Sequence, residues 1–388
     1  MNTSAGRYEV IVLGAGGMGS AAAFRLARRG RRVLAIDAFA PPHQMGSSHG
    51  LTRIIRLAYH EHPSYVPLLR RAYELWRELE QLSQQRLLTI TGSLEMGPPG
   101  SEAVTGALAS CHEHDLPHEM LTAREIMARF PAFHLPADYA GLLQADGGFL
   151  DPEGCVAAHL ALAQVYGAEL HTDERVLDWE AEGDGVRVRT ERASYRAERL
   201  IVTAGAWLPK LAPHFRQVAV PERQVLAWFR PHRPELFTTA NFPVFILETE
   251  DAGNGETSGP AWFYGFPLHG LPGLKVARHH HFREAVDPDA FERTPQPRDE
   301  AYLRAFATRY FPDGAGETLA LMTCLYTNTP DGHFIIDFHP EFPQVVIGGG
   351  FSGHGYKFCS LVGEILADLA VHGTTRSDIS LFKARRFD

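Results

Sequence analysis

The run Val10-Ile-Val-Leu13 ends directly on Gly14-Ala-Gly-Gly-Met-Gly19, a junction that few folds can accommodate. The apolar run predicts a buried strand, the glycines a tight turn, and Met18 to about Arg29 a helix. After a turn at Gly30, a second strand, Val33-Leu-Ala-Ile36, ends in Asp37. Gly14 permits the tight turn, Gly16 lets backbone N–H groups approach a pyrophosphate at the helix N-terminus, and Gly19 allows close helix packing. Asp37 follows about twenty positions later, where a carboxylate can accept hydrogen bonds from ribose hydroxyls. Strand, loop, helix and acid together read as half of a βαβ unit that binds a dinucleotide; the glycine pattern alone would be weak.

At 388 residues, with 45% hydrophobic and 21% charged residues, the chain has room for two or three domains with large cores. A formal charge of −9 argues against nucleic-acid or anionic-membrane partners, which need a dense positive field. The four cysteines, Cys111, Cys155, Cys324 and Cys359, have neither metal-type spacing nor the density of a disulfide scaffold, which suits a reducing compartment. No apolar run reaches the ~18 residues of a membrane span. Met1 to Glu9 lacks the basic-then-apolar pattern of a signal, so the expected setting is cytoplasmic.

Further along, helices are predicted over Tyr65 to about Gln85, Ser101–His114 and Ala123–Arg129, and from Asp151-Pro-Glu, with Asp at the cap and Pro in the first turn. Glu169–His171, Val186–Val188 and Leu200–Thr203 read as strands. Residues 222–285 alternate in period two (Val225–Phe229, Val244–Leu247, Trp262–Tyr264, Leu274–Val276), which predicts an antiparallel sheet suited to a substrate platform. A helix over Glu300–Tyr310 follows. Val345–Ile347 then meets Gly348-Gly-Gly350 and a helix from about Tyr356 to Val371, a second glycine loop before a helix. Nucleotide-type elements thus recur at the start, middle and end of the chain, which favours FAD over NAD. The expected fold class is α/β, in the two-domain α+β sense: a Rossmann-like FAD-binding domain (1–86, 146–218, 323–388) interleaved with an antiparallel-sheet substrate domain (87–145, 219–322).

Two cations stand in apolar company: Arg56 beside Ile54, Ile55 and Leu57, and Lys357 beside Phe358. Each needs an anionic partner, because a desolvated charge is expensive without one. His279-His-His281 invites a metal reading, since residues two apart on a strand share a face, but no carboxylate or cysteine of ligand spacing accompanies it and no metal is expected.

Gly14–Gly19, Pro41-Pro-His43, Gly46-Ser-Ser-His-Gly50, Thr52-Arg-Ile-Ile-Arg56, Tyr264-Gly-Phe-Pro267, Cys324-Leu-Tyr-Thr327 and Gly350-Phe-Ser-Gly-His-Gly-Tyr-Lys357 together resemble the monomeric sarcosine oxidase and N-methyltryptophan oxidase family, in order over nearly the whole chain. The resemblance implies FAD joined to the Cys324 thiol, with further cofactor contacts at Ser47, His49, Thr52, Val176, Gly350, Gly353 and Lys357. It implies that Arg56 and Lys357, with His354, grip a substrate carboxylate. Arg53 would lie close to the flavin, and Lys275 would activate O₂ by stabilising superoxide. His279 and Tyr264 would face the substrate amine. The implied reaction is oxidation of a secondary or N-methyl amino acid by hydride transfer to flavin, imine hydrolysis and reoxidation by O₂ to give H₂O₂, in a monomer.

The chain departs from that pattern at Ser48 and Leu51, where the family carries His and Asp, and by one extra residue in the stretch with three histidines. These departures are expected to bear on the substrate and to leave flavin binding untouched. Two other readings stay open: an FAD dehydrogenase with another electron acceptor, and a flavin-binding protein without turnover. A plain NAD dehydrogenase is the third.

Overall fold

The computed structural model describes residues 8–250 and 260–387, so the expectation about the first residues falls largely outside the described part. Strand Tyr8–Leu13 pairs in parallel with Val33–Ile36 on one side and Ser194–Val202 on the other. Its residues are almost all apolar because both faces are covered, as parallel strands require. Val10 and Val12 face helices Gly17–Arg28, Pro152–Val165 and Cys359–His372, while Ile11 and Leu13 face a second cluster with Leu208 and Phe215. Glu169–His171 extends this sheet beside Val33–Ile36, Val345–Gly349 pairs in parallel with Ser194–Val202, and Val176–Glu182 and Gly185–Thr190 add antiparallel strands. Segments far apart in sequence thus build one layer.

The second sheet runs in the order Thr318–Asn328, Val220–Phe229, Leu274–Arg278, Ala261–Phe266, Val244–Thr249, Ser93–Gly97, Ala140–Gln144, Glu119–Thr122. It is antiparallel except where Val244–Thr249 meets Ser93–Gly97 in parallel. Its strand Thr318–Asn328 runs across residue 323, where the sequence suggested a domain boundary. Period two sorts its faces. Val225, Ala227 and Phe229 turn toward helix Pro297–Tyr310, whereas Leu226 and Trp228 turn the other way with Ala277 and Cys324. Ile335–Phe338 pairs antiparallel with Val345–Gly349 in the first sheet, and Arg53–Ile55, Gly148–Leu150 and Leu88–Ile90 form a separate three-stranded ribbon.

The predicted helices lie within three residues of their positions, with one difference of kind: the turn at Lys357 is a short 3₁₀ segment, Tyr356–Phe358, ahead of helix Cys359–His372. That helix crosses Gly17–Arg28 almost backbone to backbone. A Cβ on Gly363 would stand 2.4 Å from the Ala21 Cβ and 2.8 Å from the Ala22 nitrogen. Gly363→Ala therefore overpacks a crossing that fixes the dinucleotide helix. It should lower stability by about 1–3 kcal/mol, read as a drop in the urea midpoint at unchanged slope.

Candidate active site

Asp37 closes the glycine loop before any ligand is considered. Its Oδ2 accepts from the Ala15 N–H at 2.8 Å, its Oδ1 accepts from the Phe39 N–H at 2.9 Å, and His43 Nε2 lies 3.3 Å from Oδ1. Gly14 sits at φ +88°, and a Cβ there would meet the Thr203 carbonyl oxygen at 2.6 Å, so no side chain fits. From this loop a cavity of about 360 Å³ runs along Gly14, Gly16, Asp37, Ser47, Arg53, Val176, Gly350 and Gly353 to Cys324. Of the other residues assigned to the cofactor, Gly19 packs its helix onto the Gly14 carbonyl, and His49 is buried with Nε2 donating to Gly46 O at 3.1 Å. Thr52 lies behind the cavity wall. A cradle without side chains at one end, an acid beside it and a thiol at the far end fit an elongated flavin dinucleotide.

A second pocket, of about 90 Å³, opens from the far end; the two share Arg53, Cys324, Tyr326, Gly353 and Tyr356. One face of the second sheet supplies most of its wall. Across the ladders, Ile246 pairs with Tyr264, Tyr264 with Ala277 and Phe266 with Lys275, so alternate residues of three strands point the same way. Trp262, Tyr264, Phe266 and His279 line the pocket, with Tyr264 Oη 3.3 Å from Tyr326 Oη. Arg56, His60 and Glu61 enter from the segment after Arg53–Ile55, and His354 and Lys357 from the second glycine loop. Gln144 Oε1 accepts from the backbone N–H of Leu57 and Ala58, anchoring the chain just beyond Arg56.

The cations divide into two groups. Arg53 donates to Thr52 O at 2.8 Å and Ser47 O at 2.7 Å, and its Nη2 stands 3.6 Å from Cys324 Sγ. Lys275, 2% exposed, does not line either cavity; its Nζ donates to Gly50 O (2.7 Å), Thr52 O (3.0 Å) and Thr52 Oγ1 (2.9 Å), with the Phe266 ring 4.4 Å away. Burial first, then Arg53, holds its ammonium pKa well below the usual lysine value. Arg56 instead meets carboxylates: Nη2 donates to Glu61 Oε2 at 3.0 Å and to His60 Nδ1 at 2.7 Å, and Nε lies 2.8 Å from Glu95 Oε1. Its Nη1 is buried without a partner. Lys357 Nζ donates to the His354 carbonyl at 2.7 Å, and burial followed by Arg56 pulls its pKa down to about 7.

His354 is a fixed neutral group: Nε2 donates to Gly332 O at 2.9 Å, Nδ1 accepts from Tyr59 Oη at 2.6 Å, and burial holds it at about 4. The three consecutive histidines diverge. His279 enters the pocket, its ring near-parallel to Trp262, and burial, then His280, keeps it well below the usual value. His280 lies 3.0 Å from Glu222 Oε1, and His281 is fully buried 3.0 Å from Asp299 Oδ1. Among the described residues no three His, Cys, Asp or Glu side chains gather to hold a metal ion.

The departures at positions 48 and 51 fall elsewhere than expected. Ser48 lines the long cavity, where its Oγ accepts from the Gly17 N–H at 3.0 Å, so that change touches the dinucleotide loop and not the smaller pocket. Leu51, at φ 70°, packs with Leu226 and Trp228 behind the site. His60, Glu61, Glu95, Trp262 and Tyr326 are site residues that the sequence reading passed over. Glu95 carries the signal that singled out Arg56, a charge inside an apolar strand, Ser93-Leu-Glu-Met-Gly97, buried throughout. The His60 ring meets Trp262 edge-on at 4.6 Å, a contact only the folded chain reveals.

The family model described as FAD dependent oxidoreductase matches residues 9–369. A monomeric sarcosine oxidase of Streptomyces avermitilis is 44% identical over 98% of this chain and 97% of its own. An N-methyl-L-tryptophan oxidase of Citrobacter koseri is 36% identical over 98% of this chain and 99% of its own. Among solved structures, the open form of NikD, described as an unusual amino acid oxidase essential for nikkomycin biosynthesis, superposes with a TM-score of 0.83 at 27% identity over 98% of both chains. With the glycine cradle, the acid that locks it and the second pocket at its far end, these matches show that the chain belongs to the DAO family of FAD dependent oxidoreductases.

Proposed function

We propose that the protein oxidises a small N-methylated α-amino acid, of sarcosine size, with O₂ as electron acceptor. The observation that carries this reading is the small pocket, which joins the dinucleotide cavity and carries a buried guanidinium with a free N–H edge. Its volume of about 90 Å³, walled by Trp262, Tyr264 and Phe266, suits a substrate of sarcosine size better than one with an indole side chain. The names of the relatives, monomeric sarcosine oxidase and N-methyl-L-tryptophan oxidase, support both the N-methyl amino acid and the single-chain enzyme. In this reading 1–86, 146–218 and 323–388 form the cofactor half, and 87–145 and 219–322 the substrate half. Four buried, unpaired cysteines and the lack of a helix long and apolar enough to cross a membrane among the described residues support a cytoplasmic setting.

FAD, when bound, supplies the oxidant, taking hydride from the carbon bonded to nitrogen and handing the electrons to oxygen. The side chains do the rest. Arg56 Nη1 and Lys357 Nζ hold the carboxylate, a directed N–H donor and a point charge. Arg53, Arg56 and Lys357 oppose a positive charge on the substrate nitrogen, which favours the neutral amine. Tyr264, Trp262 and neutral His279 exclude water and set the direction in which the C–H points. Lys275 and Arg53 keep a positive charge beneath the junction, where negative charge builds up during both half-reactions. Cys324, at the meeting of the two cavities with Arg53 beside its sulfur, is the attachment point for the flavin.

Anaerobic mixing with sarcosine should bleach the flavin, N-methyl-L-tryptophan should leave it yellow, and turnover in air should release one H₂O₂ per substrate. Bleaching by the tryptophan derivative at an equal rate contradicts the size argument, and turnover without peroxide indicates another acceptor. For the attachment, acid precipitation of the wild type should leave the yellow colour in the pellet, whereas Cys324→Ser should release it to the supernatant. Release from both proteins excludes the link.

A further inference from the structure

Glu95 belongs to the face that walls the small pocket: it pairs across the ladder with Ile246, which pairs with Tyr264. It is 1% exposed and does not itself line the pocket. Its Oε1 lies 2.8 Å from Arg56 Nε but off the N–H axis, so neither carboxylate oxygen receives an aligned hydrogen bond, and Arg56 Nε and Nη1 donate none. Glu61 already holds Nη2 of the same guanidinium at 3.0 Å. One cation therefore faces two carboxylates before any ligand arrives.

Resting on the reading that Arg56 grips the substrate carboxylate, we propose that Glu95 is a positioning residue that holds the Nε edge of Arg56 and competes with that carboxylate for its charge, so that each carboxylate enters the pocket together with a proton. A third anion around one desolvated guanidinium is costly, and moving one proton from solvent onto a Glu95 oxygen removes the excess charge. The groups facing Glu95 leave this open to it. Arg56 and Lys357 are the cations, Glu61 is the other acid, and Tyr73 and Cys111 approach from helices Tyr65–Ser83 and Glu102–Glu113. Burial pushes Glu95 up to about 7 against the pull of Arg56, whereas Arg56 keeps Glu61 well below the usual value despite its burial. Glu95 is thus the acid that takes the proton near neutrality. Lys357, at about 7, acts in the same direction, being charged only as the pH falls. An anion therefore binds more tightly toward acid pH.

The test uses holoenzyme and acetate, a carboxylate without an amine, with binding read from the flavin spectrum between pH 6 and 9. In the wild type the Kd should fall as the pH falls, with proton uptake measurable in weakly buffered solution at pH 8. Glu95→Gln, equal in shape but uncharged, should bind acetate about a hundredfold more tightly at pH 9 and lose one proton from the pH dependence, since one linked proton is tenfold per pH unit and pH 9 lies two units above the Glu95 value of about 7. A tighter complex is not what a folding defect produces. Glu95→Gln that binds acetate no better than wild type at pH 9, or keeps the full pH slope, overturns the proposal. So does acetate binding to wild type without proton uptake at pH 8, a measurement independent of whether the variant folds. Arg56→Met that binds acetate as well as wild type contradicts instead the carboxylate site on which the proposal rests.

Discussion

Four cations buried in the seam between the two sheets set the terms for everything around them. Arg56, Lys275 and Lys357 are 1%, 2% and 6% exposed, and Arg53 stands at the junction of the cavities. None of them can be left without a partner, because a desolvated charge costs several kcal/mol. The partners differ in kind. Arg53 and Lys275 are held by backbone carbonyls and a threonine hydroxyl, which satisfy their N–H groups without bringing a carboxylate to cancel their charge. Arg56 is held by two carboxylates, which cancel its charge until something displaces it.

That difference underlies the proposed division of labour among the cations. A fixed positive field beneath the junction suits chemistry in which negative charge appears and disappears on the cofactor and on oxygen. A neutralised guanidinium with a spare N–H edge suits a ligand that comes and goes, since exchange of one anion for another costs little. The loop Gly46–Thr52 links the two, for its carbonyls hold Arg53 and Lys275 while its Ser48 hydroxyl reaches back to the glycine turn. The cofactor cradle and the carbonyls that hold Arg53 and Lys275 are therefore parts of one backbone path.

Much of this can be read from local pattern. The glycine loop and the acid that locks it lie within forty positions of one another, and strand, turn and acid declare them. The alternation in 222–285 announces a two-faced sheet, and a charge in apolar company marks Arg56 and Lys357. What is not legible depends on register between distant strands. Glu95 is a site residue because its strand meets Val244–Thr249 in parallel, a pairing across some 150 positions that no local periodicity encodes. Lys275 is on the expected strand, yet the fold turns its ammonium to the Gly50 and Thr52 oxygens, away from both cavities. Ser48, expected to matter to the substrate, is claimed by Gly17 because a loop curls over the helix start.

The division of the cations is the claim on which the account stands, and it is tested most directly by stopped-flow measurement of the two half-reactions of Lys275→Met. Removal of the ammonium should slow reoxidation of the flavin by O₂ by several orders of magnitude, each tenfold corresponding to about 1.4 kcal/mol of barrier. Reduction by sarcosine should change far less, because Arg56 and Lys357 still hold the carboxylate. A variant whose reduction collapses while reoxidation keeps its rate would contradict the division and assign Lys275 to the substrate side.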